Sequence, residues 1–233
     1  MNGKTLPRRI FLKQVASASG ALAVGAAASS AGAAPAAEPV VGYQSLSPEE
    51  GAFTEALVNV MCPADGLTPN GVDCGLASFF DRQLAGGFGR GDRLYRQPPV
   101  RTGKPQAGYQ LPLTPEQFYK AGVAATQAAC NKRFSSNFDE LEAARADAFL
   151  QEIAAGKVDG GRVPLGQWFN ELVYPLFTQA CYADPLYGGN RGKVFWKLIG
   201  YPGLPAVHST NMVTYRGKPF PGAADPKSIQ DFS

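Results

Sequence analysis

This chain is short of the residues that most often build reactive centres. Among its 233 residues there is one histidine, His208, and there are four cysteines, Cys62, Cys74, Cys130 and Cys181. A single histidine confines Ser-His or Cys-His chemistry to one base, and no Gly-x-Ser-x-Gly elbow accompanies it. His208 lies in a polar stretch near the C-terminus, where a lone histidine reads as a surface or interface residue. No Cys-x-x-Cys is present to hold zinc, and no Cys-x-x-Cys-His to attach haem. The cysteines also lie too far apart for the local spacing of iron–sulfur ligands. Past the start of the chain, no stretch reaches spanning length without charges or prolines, so membrane attachment has to come through a partner. Net charge is small as well. Residues 1–36 hold four basic side chains and no acidic one, so without them the net charge falls from +3 to −1. That leaves none of the clustered positive charge that a nucleic-acid partner requires.

What the chain does have begins at Arg8-Arg9. Pro7, the paired arginines, Ile10, Phe11, Leu12 and Lys13 follow the pattern of a twin-arginine export signal. Behind them Val15 to Ala28 is only mildly apolar, and Gly20, Gly25 and the serines thin it too far for a membrane span. Small residues at Ala31 and Ala33, or at Ala34 and Ala36, offer cleavage within Ala31 to Ala37. An ordinary Sec signal that carries Arg-Arg is the other reading. The twin-arginine route delivers folded proteins to the periplasm, usually ones that take up a cofactor beforehand.

The rest reads as helices joined by long irregular connections, rich in glycine and proline, with no β alternation. The fold class is mainly α: a single irregular helical domain over 37–203 with an extended C-terminal tail over 204–233. Ser47-Pro48-Glu49-Glu50 is a capping box, and Phe53, Leu57, Val60 and Met61 recur behind it until Pro63 stops the helix. A second helix is expected over about 73–85, inward through Leu76, Phe79, Phe80 and Leu84 and ended by Gly86-Gly87. Thr114-Pro115-Glu116-Gln117 opens a third, running to about Phe134. A fourth covers about 141–155, with Phe149, Leu150 and Ile153 inward. The fifth has the strongest periodicity: Leu165, Trp168, Phe169, Leu172, Val173 and Leu176, with a kink expected at Pro175. A short helix over about 193–199 closes the domain. The segment from Phe88 to Pro112 lacks periodicity and is a candidate contact surface.

Cys62 and Cys74 bracket a Pro- and Gly-containing loop and are the preferred disulfide pair, with Cys130 and Cys181 open as a second bridge; four buried free thiols are the alternative. Tyr187 to Gly192 reads as a tight turn in preference to a phosphate nest. Trp168 and Trp196 sit on apolar faces and read as core in preference to a sugar-stacking platform. No catalytic, cofactor-binding or metal-binding residue is identified. A folded-protein export signal on a chain with no recognisable site points to a second protein as cargo. Two other readings stand beside this: a stand-alone exported hydrolase using Asp65, Asp184 or His208, and a sugar-binding module.

The run Asp184-Pro185-Leu186-Tyr187-Gly188-Gly189-Asn190, then Trp196-Lys197 and the closing Pro202-Gly203, resembles the gluconate 2-dehydrogenase subunit 3 family. Met61 to Asp65 and Phe80 to Leu84 are similar to that family's first helical hairpin. The likeness runs from Leu46 to Gly203. It implies a small, non-catalytic subunit of a periplasmic, membrane-bound dehydrogenase. It also implies a large subunit that carries FAD, a multihaem cytochrome c subunit that carries haem c, and passage through the twin-arginine translocase. No cofactor is then expected in this chain. Asp184, Pro185, Tyr187, Gly188, Gly189, Asn190 and Trp196 are its candidate interface residues.

Overall fold

Residues 42–94, 103–104, 110–205 and 207–233 are described by a computed structural model of the chain. The export motif (Arg8, Arg9, Phe11, Leu12 and Lys13), the cleavage window Ala31 to Ala37, and most of the Phe88-to-Pro112 segment lie outside those residues. Regular structure among the described residues is helical, and β pairing is limited to one isolated parallel bridge between Gly203 and Lys227.

Helix α1, Pro48–Met61, starts where the sequence places it. Ser47 Oγ accepts from the Glu50 N–H at 3.2 Å, and Glu50 Oε2 accepts from the Ser47 N–H at 2.9 Å. Helix α2 is Leu76–Ala85, and α3 is the single turn Gly87–Arg90. Helix α4, Pro115–Phe134, opens on the reciprocal box of Thr114 and Gln117. Helix α5, Ala143–Ala154, is capped by the Glu142 side chain. Helix α6 runs over 165–182 as three consecutive segments: Leu165–Gln167, a π-helical stretch Trp168–Val173, and Tyr174–Tyr182. Helices α7, Val194–Ile199, and α8, Ser209–Thr214, are short.

Two departures from periodicity have local causes. Helix α2 begins three residues later than expected, because Gly75 adopts a left-handed φ of 79° that interrupts the helical run from Asp73. In α6 the disturbance expected at Pro175 is taken up upstream. The Tyr174 N–H reaches back five residues to the Phe169 carbonyl, a π-turn that accommodates a proline ring and its missing donor.

The core gathers around Trp168. Phe53 of α1 and Tyr119 of α4 approach its ring at 6.3 and 6.0 Å, and Phe138 lies 5.0 Å from Phe53. Leu165, Phe169, Leu172, Val173 and Leu176 are buried along the same face of α6. Each such side chain contributes about 1.5–3 kcal/mol through removal from water. Close approach of α4 to α6 depends on Gly122, where an added Cβ would sit 2.0 Å from Trp168 Nε1. Inside this core the Thr54 hydroxyl donates to the Glu50 carbonyl at 2.7 Å and accepts from the Tyr119 hydroxyl at 2.8 Å. Burial holds the Tyr119 phenol well above its ordinary pKa.

The segment entering α1 is held by Asp81, a buried carboxylate on α2. Its Oδ2 accepts from the Gln44 N–H at 2.8 Å, and its Oδ1 from the N–H groups of Ser45 and Leu46 at 2.8 and 3.1 Å. At the other end, residues 204–233 contain no long element but turn back onto the helices. The Leu204 N–H donates to Lys227 O at 2.8 Å, and the Lys227 N–H to Pro202 O at 3.0 Å. The described residues of this tail belong to the same compact unit as the helices. Among the described residues no helix is long and apolar enough to cross a membrane.

Candidate functional site

The loop between α1 and α2 is built by short polar side chains. Asp65 Oδ1 accepts from the N–H groups of Leu67 and Thr68 at 2.8 and 2.7 Å. Those two donors, Thr68 first, hold the Asp65 carboxyl below its ordinary pKa. Asn70 Oδ1 accepts from the Asp73 N–H, and Asn59 Oδ1 from the Val72 N–H. Across the loop the Gly71 N–H donates to Cys62 O at 2.9 Å. The loop is therefore a tight, self-bonded unit.

The second segment, more than a hundred residues later, docks directly on it. Asp184 Oδ1 caps the turn Pro185–Tyr187 through the Leu186 N–H at 2.9 Å. Asn190 is fully buried in a left-handed conformation, φ 47°. Its Oδ1 accepts from the Phe195 N–H at 3.0 Å and its Nδ2 donates to Ala183 O at 3.2 Å, which closes the turn onto α7. Trp196 Nε1 donates to Tyr182 O at 2.8 Å, tying α7 to the end of α6. One bond joins this second segment to the loop, Arg191 N–H to Cys74 O at 3.0 Å, and two join it to α2, Arg82 Nη1 to Leu186 O at 3.1 Å and Arg191 Nη2 to Ser78 Oγ at 3.2 Å. At their closest point a Cβ on Gly75 would lie 2.2 Å from Gly188 O, so the junction admits only glycine there.

Of the candidate interface residues, Gly188, Gly189, Asn190 and Trp196 are buried, Asp184 and Pro185 are half-buried, and Tyr187 is exposed. Glycines and asparagine in the 187–192 segment thus supply left-handed backbone and close packing, as a tight turn requires. Asp184 also reaches the tail, its Oδ2 accepting from the Ile229 N–H at 2.9 Å. Lys193 pairs with Asp231, and that contact holds the Asp231 carboxyl down at about 2.

Two shallow grooves flank this junction. One, of about 380 Å³, lies between the α1–α2 loop and α6, with Met61, Cys62, Leu67, Phe177, Cys181 and Leu198 in its walls. The other, of about 410 Å³, lies beneath the returning tail, between Trp196, Ile199, Tyr201, Leu204 and Ile229. Tyr182 contributes to both. Their rims expose large apolar side chains: Tyr174, Tyr182, Leu198 and Ile199 are each about half accessible, at 55, 48, 49 and 56 %. Leu198 and Ile199 had a signal in the sequence. The helix Val194–Ile199 is apolar nearly all round, while Phe195 and Trp196 alone fill its buried side.

The cysteines fall into two environments. Cys62 and Cys74, the preferred disulfide pair, are brought together as free thiols, both donating to the Pro69 carbonyl at 3.7 and 3.5 Å. Burial raises the Cys62 thiol, and burial together with Cys62 itself pushes Cys74 up to about 11. Cys181 stands near both and is pushed by burial to about 12. Cys130 is set apart beside Asp139, raised by burial to about 11.

The residues named for a hydrolase are not assembled. Asp65 lines the first groove, Asp184 the second, and His208 lines neither. His208 instead bonds Gly203 O at 3.2 Å and Asn211 at 3.3 Å within the tail. Neither tryptophan offers a stacking face, since Trp168 and Trp196 are 0 and 5 % exposed. Among the described residues no group of His, Cys, Asp and Glu side chains is arranged to hold a metal ion.

A family model described as gluconate 2-dehydrogenase subunit 3 matches residues 48–203, from the first residue of α1 to the glycine that pairs with the tail. No curated protein and no solved structure matches the chain.

Proposed function

The chain belongs to the gluconate 2-dehydrogenase subunit 3 family, and from that premise we propose that it is the small accessory subunit of a membrane-bound flavoprotein–cytochrome c dehydrogenase. In this reading it supports the folding, stability and twin-arginine export of a large FAD subunit and works with that subunit at the periplasmic face of the membrane. FAD and haem c belong to the partner subunits, and the membrane is reached through them.

One observation supports this reading above the others. Two segments distant in sequence are joined by Arg191 to Cys74 and Ser78 and by Arg82 to Leu186, and polar groups of the later segment are spent on backbone: Asp184 on Leu186 and Ile229, Asn190 on Phe195 and Ala183, Trp196 on Tyr182. Around that junction stand half-exposed aromatic and aliphatic side chains. A surface built this way is suited to stable contact with protein, where buried aromatics anchor and rigid backbone sets the register. The paired arginines Arg8 and Arg9 supply the export function.

The test is to replace both arginines by lysine and fractionate the cells. Flavin-dependent gluconate oxidation should then shift from membrane to cytoplasm together with this chain. A flavin subunit that reaches the periplasm unaided would overturn the proposed export role.

A further inference from the structure

We propose that Cys62 and Cys74 are an oxidisable dithiol, closed to a disulfide by exchange with a small disulfide that enters the groove in front of Cys62 and Cys181. This goes beyond the subunit reading and does not rest on it. Cys62 ends α1 and Cys74 lies just before the Gly75 turn, so the tight loop between them brings their side chains to one point. Both thiols donate to the same carbonyl, that of Pro69, at 3.7 and 3.5 Å, which sets the two sulfurs side by side. Cys181 lines the groove beside Cys62 from α6. The Pro69 carbonyl is what pairs the two loop thiols with each other.

Exposure sets the order of events. Cys62 is 8 % exposed and borders the groove, whereas Cys74 is 1 % exposed behind it. The Cys62 thiolate attacks one sulfur of the incoming disulfide; that S–S bond breaks, and the first leaving thiolate takes up a proton from water. Cys74 then loses its proton and attacks Cys62 Sγ, expelling the second thiol of the donor. In sum, two protein thiols are oxidised by two electrons and the donor disulfide is reduced to two thiols. Burial keeps the protein thiols protonated, so the exchange is slow at neutral pH and quickens as pH rises. The product pins one wall of the groove. It also fixes the Asp184-to-Asn190 turn, because Cys74 O is the acceptor for Arg191.

The experiment incubates the full folded chain with oxidised glutathione, quenches it in acid, denatures it, and counts the remaining thiols. Cleavage before Asp65 and Asp73 then places Cys62 and Cys74 on different peptides for mass mapping. The expected result is loss of two of the four thiols, with the Cys62 peptide linked to the Cys74 peptide. Cys74→Ser should stop at the intermediate, holding one glutathione on Cys62. Retention of all four thiols, or a bridge that recruits Cys181 or Cys130 instead, would overturn the proposal. If Cys74→Ser fails to fold, mapping of the unaltered chain decides the question alone.

Discussion

Replacing Asp81 by alanine should be the most costly single change at the start of the domain. Its carboxylate accepts three consecutive backbone N–H groups, from Gln44, Ser45 and Leu46, and is itself 4 % exposed. Alanine leaves the buried Leu46 N–H without an acceptor, which costs about 1–3 kcal/mol. Gln44 is exposed and Ser45 half-buried, so their amides regain water and lose only the net value of an ordinary hydrogen bond, about 0.5 kcal/mol each. The sum is about 3 kcal/mol, or a fall in Tm of about 6–12 °C for a domain of this size. Asp81→Asn keeps one oxygen for Ser45 and Leu46 and turns an N–H toward Gln44, so it should cost roughly half as much. Thermal melts followed by circular dichroism, with urea titrations to verify an unchanged m value, measure both variants. A loss below about 0.5 kcal/mol for Asp81→Ala would refute the anchoring role, since that is the ordinary scatter of surface substitutions.

Gly122→Ala should destabilise by about 1–3 kcal/mol through overpacking, and should shift the fluorescence of Trp168, whose ring lies where the new methyl would go. Asn190→Ala should cost about 2–3 kcal/mol in urea unfolding, because it strands the Phe195 N–H and puts alanine at a left-handed φ. Gly at the same position should recover only the backbone part. The Lys193–Asp231 contact should protect the tail down to mildly acid pH. The Asp231 carboxyl sits at about 2 against an ordinary 3.8, so its contribution is whole above about pH 4 and is lost as pH falls toward 2. Hydrogen exchange or limited proteolysis across that range would show it, and tail release beginning near neutral pH would contradict it.

The sequence was legible where structure is local. Ser47 with Glu50 and Thr114 with Gln117 announce their helices, because a capping box is a contact between residues three apart. The inward face of 165–176 follows from period alone. The late start of α2 depends on one glycine φ and the π-turn on how a helix absorbs Pro175, neither of which periodicity encodes. Asp81 looked like an ordinary polar position on an amphipathic helix, since its three partners lie more than thirty residues upstream. The return of the tail rests on Asp184 with Ile229 and Lys193 with Asp231, long-range pairs that leave no periodic trace. In the 184–196 segment the motif residues were visible as a group. Their division into inward scaffold (Asn190, Trp196) and outward surface (Tyr187) needed coordinates.

The central claim, that this chain works as the small subunit of a flavoprotein dehydrogenase, is tested most directly by affinity purification of the tagged native chain from its own membranes. The readouts are the absorption spectrum and acceptor-dependent gluconate oxidation of the eluate. The account predicts flavin and c-type haem bands that co-purify with activity in a fixed ratio to the chain. A colourless, inactive, partner-free monomer recovered in good yield would contradict it.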